Sequence, residues 1–166
     1  MRTTFASVAK AVATVVRSAN RTTPSSPKRV RATRGHRHYP GDFTGRFTPR
    51  YAASLDGHAD PGEILWTWVA YEDDHTQGKD RPVLAVGTDR GWLLCLMLTS
   101  KDHDRDAADD ARWGRRWMDI GAGAWDTKRR ASEVRLDRIV RIHPDDVRRE
   151  GAVLDRETFD KVIGSL

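Results

Sequence analysis

Four residues of this chain have the types and spacing that phosphate chemistry asks for. Arg81 precedes a proline at the head of an apolar stretch, Arg81-Pro82-Val83-Leu84-Ala85-Val86, and Thr99-Ser100 closes another, Trp92-Leu93-Leu94-Cys95-Leu96-Met97-Leu98. If the two stretches pair as a hairpin about the turn signal Thr88-Asp89-Arg90-Gly91, Arg81 and Thr99 stand at the same end, each nine residues from Arg90. A guanidinium donates in a fixed fork, so an arginine beside a hydroxyl at a sheet rim suits a phosphate. The same residues also suit an ordinary surface arginine and a strand-end threonine. Farther along, Val134-Arg135-Leu136-Asp137 puts Arg135 and Asp137 on one face of a strand. Such a pair is either an ion pair contributing about 0–1 kcal/mol or an acid/base pair, depending on what else converges on it.

Other candidate chemistry falls away. Asp102-His103-Asp104-Arg105-Asp106 opens like a calcium loop, but Ala107 stands where a glycine is needed and Trp113 where the bidentate glutamate belongs. A solvated acidic loop accounts for that run. His36, His38 and His58 lack the spacing of a zinc site, and Cys95, inside the most apolar stretch, reads as a small core residue. There is no phosphate-cradling glycine loop and no nucleophile elbow. Neither a metal nor a cofactor is expected.

The elements that must position these residues are short strands. A run rich in β-branched and aromatic residues predicts a strand at Glu63–Ala70, and a second follows at Arg81–Val86. After the turn signal the continuously apolar run Trp92–Leu98 predicts a third, buried on both faces. Trp117–Ile120 is a fourth, and Glu133–Ile142 a fifth with a register break at Arg138. The charged excursion Lys101–Arg116 reads as a loop or short helix. Pro144-Asp145-Asp146 opens one helical turn, and Leu154–Ile163 forms a final amphipathic helix capped by Asp155. Short strands at near-even spacing with a terminal helix point to a mainly β chain built as a small barrel.

Composition sets the outer bounds. With 166 residues, 38% hydrophobic and 32% charged, the chain is long enough for one domain with a tail. A single Cys excludes an internal disulfide framework and any Cys-rich zinc module. No apolar run approaches the ~20 residues of a membrane-spanning helix. The net charge of +5 divides unevenly: residues 1–50 hold eleven Lys/Arg and one acid, Asp42, while the remainder holds eighteen Lys/Arg against 23 acids. The basic pI therefore belongs to the tail, and it assigns no partner to the part able to fold. Residues 1–60 read as a basic extension and linker, with helical spacing over 4–17 and a Thr/Ser/Pro/Arg-rich stretch, Arg21–Arg37, too poor in apolar residues to order itself. Tyr39–Pro61 reads as a linker or wrapping arm. Residues 61–166 form the folding domain, which contains all six Trp.

Within that domain the order and spacing of four motifs carry a resemblance. Gly62-Glu63-Ile64, then Gly78-Lys79-Asp80-Arg81-Pro82-Val83-Leu84, then Leu98-Thr99-Ser100, then Ser132-Glu133-Val134-Arg135-Leu136-Asp137-Arg138-Ile139 resemble the MazF/PemK (Kid-like) toxins of bacterial type II toxin–antitoxin systems. The resemblance implies an SH3-like barrel with a C-terminal helix, acting in the cytoplasm as a homodimer. It implies metal-independent cleavage of single-stranded RNA and neutralisation by a cognate antitoxin whose acidic tail fills the RNA groove. Arg81 and Thr99 match family residues on the phosphate, Arg135 and Asp137 the acid and base of the PemK/Kid branch, and His75 a loop histidine that steadies the phosphate. Gln77, Ser100 and Arg138 take substrate-binding positions by the same correspondence. The chain departs from the family at Thr76-Gln77, which stands for Glu-Gln, at Arg138, which replaces Gln, and in a long charged segment between Thr99 and Ser132. These departures leave an alternative, a catalytically degenerate barrel that binds protein or RNA. A further expectation is that residues 1–50 add electrostatic affinity for RNA.

Overall fold

Strands form where β-branched, aromatic and leucine residues cluster. The computed structural model describes residues 38–101 and 107–166. The helical spacing at 4–17, the stretch Arg21–Arg37, His36 and the run Asp102–Asp106 lie outside the described residues. Three strands, β1 (Glu63–Ala70), β2 (Gly78–Asp89) and β3 (Trp92–Thr99), make an antiparallel meander. A short helix, α1 (Ala107–Arg112), precedes β4 (Trp117–Ala122) and β5 (Ala131–Ile142). A 3-10 turn at Pro144–Asp146 then leads into β6 (Val147–Val153) and the closing helix α2 (Arg156–Gly164). The strands lie in the order β4-β5-β3-β2-β1-β6, every pairing antiparallel, as one curled half-barrel. The chain is mainly β.

Local chemistry explains most of these boundaries. Asp89 pairs with Trp92 across a two-residue loop in which both Arg90 (φ 49°) and Gly91 (φ 85°) are left-handed, the turn whose twist matches a hairpin. Asp155 accepts a hydrogen bond from the Thr158 amide at 2.8 Å and so caps α2. β2 starts three residues before Arg81 because Gly78, Lys79 and Asp80 pair with Ala70, Val69 and Trp68 of β1. Backbone pairing there overrides weak strand propensity. The same cause produces β6, an edge strand of sequence Val-Arg-Arg-Glu-Gly-Ala-Val that pairs with β1.

The sheet buries both of its faces. On one, Ile64, Leu84, Leu96, Leu98 and Val134 pack with Phe159 and Val162 of α2, and Phe43, Phe47 and Tyr51 cover the cluster. On the other, Leu65, Val69, Val83, Ala85, Cys95 and Val140 form a smaller cluster. Burial pushes the Cys95 thiol well above its ordinary value, which fits a packing role. The segment before β1 lies along the first face. Phe43 bridges to Ile139 through a 2.8 Å amide hydrogen bond, and the Tyr51 hydroxyl donates to the Leu154 carbonyl at 2.8 Å. The fully buried Glu63 carboxylate accepts from the amides of Ser54 (2.9 Å) and Asp60 (3.3 Å).

The β3–β5 ladder contains the irregularity that shapes the site. Leu96 pairs with Ile139 and Leu98 with Val134, so Arg135 to Arg138 stand opposite Met97 alone. The register break expected at Arg138 is this wide bulge.

Candidate active site on the second sheet face

Strand alternation puts Arg81 on the same face as Val83 and Thr99 on the same face as Met97. Because Val83 pairs with Met97, continuing the register by two residues sets Arg81 abreast of Thr99. Both line an open cleft of about 550 Å³ at the end of the smaller core cluster. The Thr99 hydroxyl oxygen accepts from the Lys101 amide at 3.1 Å, which leaves its proton free to donate. Among the described residues Arg81 has no ion-pair partner, so its guanidinium fork faces the cleft unclaimed.

Arg135 forms the floor. It is only 5% exposed and lies between two carboxylates. Its Nε donates to both Asp137 oxygens at 3.1 Å, its Nη2 to Asp137 Oδ2 at 2.7 Å, and its Nη1 contacts Glu72 Oε2 at 2.9 Å. Asp137 also accepts the Arg116 amide at 2.8 Å. Burial works against the charge on Arg135, but hydrogen bonds to Asp137 and Glu72 outweigh it and raise the guanidinium pKa. Burial likewise opposes the Asp137 charge, and the hydrogen bonds from Arg135 and the Arg116 amide hold its carboxyl below the usual range. At neutral pH the pair is a guanidinium cation donating hydrogen bonds to a carboxylate.

Arg138 also lines the cleft, with its fork occupied. Its Nε and Nη2 donate to Asp42 at 2.7 and 3.0 Å, a bidentate pair, and the Tyr39 hydroxyl donates to the same carboxylate. Burial raises the Asp42 pKa, but the bonds from Arg138 and Tyr39 bring it below the usual range. His75 lies apart from the cleft wall, with its ring 4.9 Å edge-on from Tyr39. Gln77 donates to Asp74 at 2.8 Å within the β1–β2 loop, and Ser100 is exposed beyond Thr99; neither lines the cleft.

Of the residues singled out by sequence, the fold thus gathers Arg81, Thr99, Arg135 and Arg138 around one cleft, with Asp137 bound to Arg135. Sequence reading missed Glu72 and Asp42, whose arginine partners are distant along the chain, and Tyr39, which bonds to Asp42 three residues on. It also passed over Trp113 and Trp117, which line the same cleft. The alternation of aromatic and basic residues in Trp113-Gly114-Arg115-Arg116-Trp117 was an available signal.

Comparison with known proteins bears on the whole arrangement. Residues 60–166 match the model of the PemK-like, MazF-like toxins of type II toxin–antitoxin systems. Among solved structures, the chain is similar to the crystal structure of MazE–MazF (Form-II) from Deinococcus radiodurans, at 18% identity and a TM-score of 0.44, covering 65% of this chain and 91% of that one. No curated protein matches. The family match spans more than half of the chain and takes in every strand, α2 and the cleft arginines. The chain belongs to the PemK-like, MazF-like toxin family of type II toxin–antitoxin systems.

Proposed function

We propose that this toxin is a metal-independent endoribonuclease that cleaves single-stranded RNA. The observation that carries the reading is the convergence of Arg81, Thr99 and Arg135 on one cleft, with Asp137 bound to Arg135 at 2.7 Å. RNA supplies its own nucleophile, so a site needs only to hold a phosphate and move one proton. Asp137 takes the proton of the 2′-hydroxyl as that oxygen forms its bond to phosphorus. The bond from phosphorus to the 5′-oxygen breaks, and Arg135 protonates the leaving oxygen, an alkoxide more basic than a guanidine. The proton on Asp137 returns to Arg135 across their 2.7 Å contact, so both groups end as they began. Arg81 and Thr99 donate to the phosphate oxygens while charge builds on them. By the family correspondence His75 steadies the phosphate and Gln77, Ser100 and Arg138 bind the substrate, although His75, Gln77 and Ser100 lie off the cleft wall and Asp42 occupies the Arg138 fork. The products are a 2′,3′-cyclic phosphate and a 5′-hydroxyl end. As in the family, the active form is a homodimer in the cytoplasm, held in check by a cognate antitoxin.

Incubating the full chain with a long RNA in EDTA, followed by end mapping, tests this. Cleavage with 5′-hydroxyl ends is expected from wild type and none from an Arg135→Ala, Asp137→Ala double variant. If the double variant cuts as fast as wild type, the assigned roles are wrong. A second reading, a non-catalytic RNA- or protein-binding barrel, is favoured by Glu72 and Asp42, which already sit on Arg135 and Arg138. Bound but intact RNA would establish it.

A further inference from the structure

We propose that Trp113 is a stacking platform for an RNA base next to the scissile phosphate, a role that rests on the RNA reading above. Trp113 is 77% exposed, the most exposed large hydrophobic side chain among the described residues. A tryptophan in that position leaves unburied the large apolar surface that such a side chain normally contributes to a core or interface. It stands on the wall of the cleft whose other lining includes Arg81, Thr99 and Arg135.

The indole is carried on a fixed support. The Trp113 amide donates to the carbonyls of Asp109 (3.3 Å) and Asp110 (3.1 Å) at the end of α1. Gly114 follows at φ +69°, a left-handed residue that ends the helix, and the Arg115 amide returns to the Asp110 carbonyl at 2.8 Å. The buried Asp110 carboxylate then ties down both neighbours, accepting from the Trp117 indole at 3.1 Å and Arg115 Nη1 at 3.5 Å. A support held in this way loses little conformational entropy on binding.

The chemistry around the ring selects the ligand. The cleft lining holds Arg81, Lys101, Arg115, Arg135 and Arg138 against Glu72, Asp73 and Asp110, an excess of positive charge. Arg115 is itself paired with Asp110 at 3.5 Å, and the exposed Arg112 on the preceding turn with Asp109 at 3.6 Å. An exposed aromatic face flanked by cations matches single-stranded nucleic acid, whose bases stack while its phosphates follow the positive charge. An acidic peptide would use the cations but has no comparable need for a flat ring. A cleft of about 550 Å³ has room for a phosphate together with a base. Trp113 would therefore set which nucleotides flank the cut.

The test uses the full chain and a short, labelled, mixed-sequence 2′-O-methyl oligonucleotide, which lacks the nucleophile and is not cut. By fluorescence anisotropy, Trp113→Ala is expected to weaken binding about 5- to 140-fold, the usual span for removal of a base stack, while Trp113→Phe weakens it only a few-fold. Thermal stability should not change, because the side chain lies in solvent. A set of oligonucleotides with single abasic sites should contain one position whose penalty in wild type vanishes in Trp113→Ala. If Trp113→Ala binds every oligonucleotide like wild type while Arg81→Ala does not, the platform is wrong and the RNA reading stands. If wild type binds none of them, the RNA reading fails and takes the platform with it. If Trp113→Ala loses affinity for a poly-glutamate peptide but not for RNA, the ring serves a protein partner and the proposal is overturned.

Discussion

Arg135 is shared between a catalytic candidate and a competitor. Asp137 holds two of its nitrogens, and Glu72, about half exposed at the cleft, holds the third. An incoming phosphate must displace Glu72 or lie beside its negative charge. Glu72→Gln should therefore tighten binding of an uncleavable oligonucleotide several-fold, in line with the removal of one repulsive charge from a partly screened site. Weaker binding would instead mean that Glu72 positions Arg135. The two arginine–aspartate pairs also make stability depend on pH. The carboxyls of Asp42 and Asp137 are held below their ordinary values despite burial. Their contribution is complete above about pH 4, the unfolded value, and is lost as pH falls through the lower folded values. Urea unfolding across this range should show stability declining below that point, with a shallower decline in Asp137→Asn. A decline of the same steepness in that variant would show that the Arg135 pair contributes nothing.

At the level of elements, the site hangs on the β5 bulge, and α2 touches it at one remove through Arg116, whose amide donates to Asp137 and whose guanidinium donates to the carbonyl of Ser165 at the helix C-cap. The bulge sets Arg135 to Arg138 opposite a single residue of β3, turning two guanidinium groups toward the cleft. The helix packs on the other face, with Phe159 and Val162 buried in the larger cluster. Phe159→Ala should cost about 3–5 kcal/mol and Asp155→Ala about 1 kcal/mol, read from denaturant midpoints. RNA cleavage by the folded fraction should be unchanged in both. A loss of cleavage in folded Asp155→Ala would show that helix and cleft are coupled through the sheet.

Across the whole molecule, charge and packing divide along the chain. Residues 1–37 carry nine Lys/Arg and no acid. The segment 38–60 that follows is tied to the sheet through Phe43, Tyr51 and the amides held by Glu63. Its Asp42 sits on Arg138 and its Tyr39 touches His75, so the approach to the site is partly built by residues far upstream. Deleting residues 1–37 tests whether their charge takes part in RNA binding. If the tail binds phosphates, the salt dependence of RNA binding should become shallower by about 0.7 in log–log slope for each phosphate that the tail had neutralised. An unchanged slope would confine RNA recognition to the sheet and its arm. Among the described residues no helix is long and apolar enough to cross a membrane.

Local pattern was sufficient wherever the cause was local. A cluster of β-branched and aromatic residues marked β1 and a continuous apolar run marked β3, two left-handed residues made the hairpin turn, and a carboxylate three residues before an amide capped α2. The equal count from Arg90 reached the right pairing through a compensation: the two-residue turn alone sets Arg81 opposite Ser100, and the irregularity between Ala85 and Gly87 shifts the register by one residue and brings Thr99 abreast. Motif order was enough to indicate the family that the comparison then showed. β6 escaped because its charges and glycine disfavour a strand until β1 offers an edge to pair with. The partners of the site arginines escaped for a related reason. Asp42 and Arg138 are 96 positions apart, and Glu72 reaches Arg135 from another loop. Choosing among many exposed carboxylates for a given guanidinium depends on which backbones the curled sheet brings within hydrogen-bond reach, and that choice belongs to the tertiary structure.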